Sequence, residues 1–211
     1  VLSWPAALKT LHYDADQGEW EGHYGEVPAK TWTCAAFVRA LQSQKTTLTE
    51  LTMTRPPLDH EGLGNGPRID LSEFMSLKTL RIYHVFLCGW DDPHGVWKGL
   101  PRSLEVLEIW YDDTDLTTFY SFDNDSCDAS ILDLIEHKRT HLPHLHTVHI
   151  HSYETILDPG IDELFVLGQW EVPSSLALAA ESAGVKLDVC MGYRNPPDFK
   201  RNDVFESLKI S

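Results

Sequence analysis

Leu104-Glu-Val-Leu107-Glu-Ile109 decides how this chain folds, because the same phrase returns four more times. Its counterparts are Leu8-Lys-Thr-Leu11-His-Tyr13, Leu48-Thr-Glu-Leu51-Thr-Met53, Leu77-Lys-Thr-Leu80-Arg-Ile82 and Leu145-His-Thr-Val148-His-Ile150. The shared pattern is L-x-x-L-x-φ, with φ apolar and Val148 standing in for the second leucine. That second leucine and φ are two residues apart, so on an extended chain they project to one side. A fixed phrase recurring along a chain signals stacked units, each contributing a strand. The phrases begin at steps of 40, 29, 27 and 41 residues. A degenerate sixth copy, Gly184-Val-Lys-Leu187-Asp-Val189, follows 39 residues later, and Leu208-Lys-Ile210 reads as the start of a seventh.

Helix signals lie between the phrases. Thr31 or Thr33 is placed to cap a helix over 34–42, with Phe37, Val38 and Leu41 on one stripe. Asp70, with Glu73 three residues on, predicts a short capped helix over 71–75. Asp128 opens a predicted helix over 129–139, whose last turn is basic. Ser174 or Ser175 opens another, closed by Gly184. Prolines 5, 101 and 143 stand just ahead of strand leucines and straighten the chain there. The polar segments 14–30, 54–69, 84–99, 111–127 and 152–173 read as loops. They carry Trp20, Trp90, Trp97 and Trp170, rings expected to cover the ends of the core or to line a recognition surface.

In a parallel sheet, the residues between the buried positions form columns across neighbouring strands, about 4.8 Å apart. One column reads His12, Thr52, Arg81, Glu108, His149, Asp188. It predicts complementary neighbours at Arg81–Glu108, Glu108–His149 and His149–Asp188. A second reads Asp14, Thr54, Tyr83, Trp110, His151, Cys190 and sets Tyr83 beside Trp110. Paired aromatics and polar ladders stabilise a sheet by themselves. An aromatic pair on an open face also suits ligand contact. Arg81, Tyr83, Glu108, Trp110, His149, His151 and Asp188 are therefore the candidate binding residues.

The charge is −15, from 32 acidic against 17 basic residues. Nucleic acid needs Lys and Arg to neutralise phosphates, so it is not expected as a partner. An anionic membrane surface is disfavoured on the same grounds, and no run of about 18 apolar residues offers a membrane span. A protein partner, a basic one included, is compatible with this charge. Cys34, Cys88, Cys127 and Cys190 are scattered, without a C-x-x-C pair, which reads as reduced thiols in a cytoplasmic or nuclear protein. The chain opens at Val1 within an apparent repeat and reads as a fragment of a longer protein.

No catalytic motif is present. Gly62-Leu-Gly64-Asn-Gly66-Pro67 lacks a following Lys-Ser/Thr and reads as a turn. The acidic clusters at 91–92, 112–115 and 123–128 lack the glycine and terminal glutamate of an EF-hand loop. Six histidines fall between His137 and His151, and His149 with His151 and Asp188 is the one corner with metal-ligand character. No Cys or Glu joins it at a recognised spacing, so neither a metal nor a cofactor is expected. The corner supports an alternative reading as a metal-dependent or hydrolytic enzyme. A structural scaffold is a further alternative. The same cluster makes the surface pH-sensitive near neutrality.

Steps near 28 residues match the long leucine-rich repeat, a strand and a helix per unit, and the longer steps require insertions. The expected fold is α/β: one leucine-rich-repeat solenoid spanning 1–211, parallel strands on one face, helices on the other, with long irregular insertion loops. With Leu100-Pro-Arg-Ser-Leu104-Glu-Val-Leu107-Glu-Ile109, Ser76-Leu77-Lys-Thr-Leu80-Arg-Ile82 and acidic inserts, the chain resembles the leucine-rich-repeat region of filamentous-fungal F-box proteins. The resemblance implies a non-enzymatic domain that captures a protein substrate. It also implies a link to a cullin–RING ubiquitin ligase through an F-box, which is not visible in this sequence.

Overall fold

The computed structural model describes residues 7–14, 33–54, 68–88, 95–111, 126–154, 172 and 174–193. Six strands, β1 (Thr10–Asp14), β2 (Glu50–Thr54), β3 (Thr79–Tyr83), β4 (Val106–Tyr111), β5 (Thr147–Glu154) and β6 (Lys186–Tyr193), form one sheet. Every neighbouring pair is parallel, and the strands lie side by side in chain order. The protein is thus an α/β fold built on a six-stranded all-parallel sheet. All six phrases are strands, in the predicted register: Leu51 pairs with Leu80, Leu80 with Leu107 and Leu107 with Val148.

Apolar burial explains why the phrase is repeated. The first leucines Leu48, Leu77, Leu104 and Leu145 are buried, as are the pairs Leu51/Met53, Leu80/Ile82, Leu107/Ile109 and Val148/Ile150. Each fully buried side chain of this size is worth roughly 1.5–3 kcal/mol in area removed from water. The edge strands contribute less, with Leu11 and Tyr13 on β1 and Leu187 and Val189 on β6 only partly buried. Main-chain bonding repeats with the same period. Lys9 O accepts the N–H groups of Thr49 and Glu50, and Thr49 O those of Lys78 and Thr79. Lys78 O accepts from Glu105 and Val106, and Glu105 O from His146 and Thr147. One carbonyl per phrase therefore ties each strand entrance to the next.

Helices cover the apolar side of the sheet. Helix α1 (Cys34–Leu41) begins at Thr33, whose Oγ1 accepts the Ala36 N–H at 3.1 Å, and buries Cys34, Phe37 and Leu41. Phe37 meets Tyr13 of β1 at 4.9 Å between ring centres. Helix α2 (His84–Cys88) and a 3₁₀ turn (Val96–Gly99) lie in a stretch expected to be loop. Phe86, Leu87 and Val96 are buried there, and these apolar residues recruit the segment to the core. Helix α3 (Ser126–Glu136) starts two residues before the expected Asp128 cap, and a short helix α4 (Lys138–His141) follows. Helix α5 (Ser174–Ala183) opens at Ser174 and ends at Gly184, whose φ of 65° is the left-handed conformation suited to a helix stop. Lys138 Nζ donates to Ala183 O at 3.0 Å and an Arg139 Nη group to Ser182 O at 2.9 Å. The basic turn of α4 thus serves the C-terminal carbonyls of the next helix, where the dipole favours cations.

The helix expected over 71–75 does not form. Asp70 Oδ1 accepts both the Ser72 N–H and its hydroxyl, closing a turn that competes with helix. Glu73 pairs instead with Lys45 at 3.4 Å. Trp20, Trp90, Trp170, the Gly62–Pro67 turn, the acidic stretches at 91–92, 112–115 and 123–125 and the tail phrase at 208–210 lie outside the described residues. Among the described residues no helix is long and apolar enough to cross a membrane.

Candidate functional site

Strand alternation sends the residues between the leucines to the other side of the sheet, away from the helices. His12, Thr52, Arg81, Glu108, His149 and Asp188 are paired in register from β1 to β6, as the sequence predicts. Tyr83, Trp110, His151 and Cys190 align two residues further on. Thr52 is buried and His12 exposed, while Arg81, Tyr83, Glu108, Trp110, His149 and His151 are half-buried. The ion pairs Arg81–Glu108, His151–Glu108 and His149–Asp188 of the two columns thus lie on β3 to β6.

Glu108 is the centre of this face. Arg81 Nε–H donates to its Oε2 at 3.0 Å, and Trp110 Nε1–H donates to its Oε1 at 2.8 Å. His151 Nε2 lies 3.2 Å from the same Oε1. Burial opposes ionisation, since the side chain is only 15% exposed. The hydrogen bonds from His151 and Trp110, with the charges of His151 and Arg81, outweigh that penalty and hold the carboxyl down at about 2. Glu108 and His149 are neighbours in register, as expected, while the contact to Glu108 Oε1 comes from His151. A glutamate side chain is long enough to reach along the strands, so it bonds its register neighbour Arg81 on β3 and contacts His151, two residues past its register neighbour, on β5.

His149 takes the other side. Its Nδ1 is 3.2 Å from Asp188 Oδ2, an oxygen that Lys186 Nζ approaches at 2.6 Å. Burial of the ring lowers the His149 pKa; Asp188 and Glu108 oppose the shift, while His151 and Lys186 add to it, leaving the neutral imidazole favoured. The His149/His151/Asp188 corner therefore divides, with His149 on Asp188 and His151 on Glu108. Among the described residues no three His, Cys, Asp or Glu side chains converge on a point that would hold a metal ion.

Tyr83 and Trp110 meet edge to face, 5.8 Å between centres, and Trp110 meets His151 similarly at 6.1 Å. This geometry suits the ring quadrupoles. All seven candidate residues thus share one continuous face. Sequence reading missed a cluster on the helix side, where Trp97 stacks on His137 at 4.4 Å and lies 3.9 Å from His141. Asp133 anchors that cluster, accepting the Gly95 N–H at 2.8 Å and sitting 3.2 Å from His137 Nδ1. The four-residue spacing of His137 and His141 was the available signal. Trp97 packs against the core. A groove of about 470 Å³ between α1 and the 68–73 segment, lined by Val38, Arg39, Arg68, Asp70 and Glu73, also had no sequence signal. Compared with protein-family models, curated proteins and solved structures, the chain matches none of them.

Proposed function

We propose that the chain is a leucine-rich-repeat solenoid acting as a non-enzymatic recognition domain, the substrate-binding repeats of an F-box-type ubiquitin-ligase receptor in the cytoplasm or nucleus. The solenoid reading draws support from the sequential parallel strands and the main-chain bonds that recur with each phrase. The observation carrying the recognition reading is the face around Glu108. Arg81, Trp110 and His151 converge on one carboxylate, with Tyr83 alongside, on the side of the sheet opposite the described helices. Interaction surfaces are enriched in such aromatic and arginine residues. The ligase link rests on the resemblance in the repeats alone.

The test uses the purified domain as bait in an extract of its source cells, with Tyr83→Ala/Trp110→Ala beside the unmodified protein. Captured proteins are quantified by mass spectrometry, and thermal unfolding verifies that both baits are folded. The expected result is a specific partner reduced at least tenfold on the double variant. Equal capture by both folded baits removes the sheet face from the function. Recovery of a cullin–RING adaptor with the full-length gene product tests the ligase link separately.

A further inference from the structure

We propose that Arg81 is the anchor for a carboxylate carried by the protein partner of this sheet face, an inference that rests on the recognition reading above. Arg81 meets Glu108 through Nε alone. Among the described residues nothing engages its Nη1 and Nη2 groups. The side chain is 40% exposed, against 15% for the glutamate that grips it. Glu108 thus fixes the guanidinium plane from one edge and leaves two parallel donors for another molecule. A fork held in place loses less freedom on binding, and its geometry matches a carboxylate accepting two N–H bonds.

The other charges on the face point to the same ligand. Glu108 already receives Arg81 and Trp110 and lies beside His151, while Asp188 already has Lys186 and His149. Both oxygens of Glu108 are engaged and Asp188 Oδ2 is shared by two neighbours, while the Arg81 Nη groups are donors with no partner among the described residues. Net charge permits a basic partner, but net charge steers approach, while a contact is decided by the groups that remain unpaired. A single available guanidinium beside Glu108, on a chain of charge −15, suits a singly charged carboxylate better than a doubly charged phosphate. The ligand is therefore an Asp or Glu side chain, or a chain terminus, presented by a peptide segment laid along β3 and β4.

A displayed library of random dodecapeptides, panned on the purified domain, tests this. Enriched sequences should share an acidic residue at one position. Synthetic copies should bind at least tenfold more weakly to Arg81→Gln, and at least fivefold more weakly to Arg81→Lys. The lysine variant keeps a cation for Glu108 while removing the planar fork, so it decides the matter if the glutamine variant fails to fold. Enrichment without a common acid, or affinity unchanged in folded Arg81→Lys, overturns the carboxylate anchor while leaving recognition intact. Tighter binding when phosphoserine replaces the acid overturns the choice of a carboxylate. No enrichment on the unmodified domain removes the recognition reading and the anchor with it.

Discussion

The indole of Trp110 is tied to the carboxylate of Glu108, two residues earlier on the same strand, by an Nε1–H to Oε1 hydrogen bond of 2.8 Å. Period-two alternation puts both side chains on one face, so β4 presents an aromatic ring oriented by its own neighbour. Arg81 from β3 and His151 from β5 complete the shell around that carboxylate. Three adjacent strands therefore share one ionised group.

Replacing that group should be felt in stability as well as in binding. Glu108→Gln removes the charge that Arg81 and His151 face in a partly buried setting. It should destabilise the fold by about 1–3 kcal/mol in urea denaturation. Glu105→Gln at the entrance to the same strand, where the partner Lys78 and the carboxylate are both well exposed, should change little. Equal midpoints for the two variants would show that the network around Glu108 adds nothing to the fold.

Acid should weaken the protein in two stages. His149 has a folded pKa below its ordinary 6.5, so the folded state binds fewer protons there and stability falls as pH drops below about 6.5. Glu108, held at about 2 against an ordinary 4.5, contributes stability that is complete above pH 4.5 and lost as pH falls toward 2. Urea midpoints measured from pH 7.5 to 3 should lose the first stage in His149→Gln and shrink the second in Glu108→Gln. An identical pH profile in both variants contradicts this assignment.

Two glycines separate backbone strain from collision. An alanine Cβ at Gly184 meets nothing within 4 Å, so Gly184→Ala costs only the left-handed backbone, about 1 kcal/mol. At Gly99 the Cβ falls 2.7 Å from the carbonyl oxygen of Ile69, a main-chain atom whose shift would also disturb the Leu71 N–H bond to Gly99 O. Gly99→Ala should therefore lower the melting temperature more than Gly184→Ala does.

Strands and their register were legible because one phrase repeats with its apolar positions two apart. Face assignment followed from the same spacing, and it brought Tyr83 to Trp110 and Arg81 to Glu108. Side-chain choice within the face was less legible: Glu108 selects His151 over its register neighbour His149, since reach and rotamer decide among several nearby donors. Short local elements were the least legible. Asp70 folds back on Ser72 instead of capping a helix, and His84–Cys88 turns helical where Phe86 and Leu87 can be buried. Both outcomes depend on tertiary surroundings that a window of ten residues does not contain.

The bonds from Lys9, Thr49, Lys78 and Glu105 carbonyls to the next strand entrance use peptide groups alone, so they are indifferent to which side chain each position carries. Proline is the sole residue barred from the donor positions 49–50, 78–79, 105–106 and 146–147, because it lacks the N–H. Mutational drift along the polar columns, outside the Glu108 network that also carries stability, can therefore retune what the face attracts while this main-chain bonding persists, a partial separation of specificity from architecture within each strand.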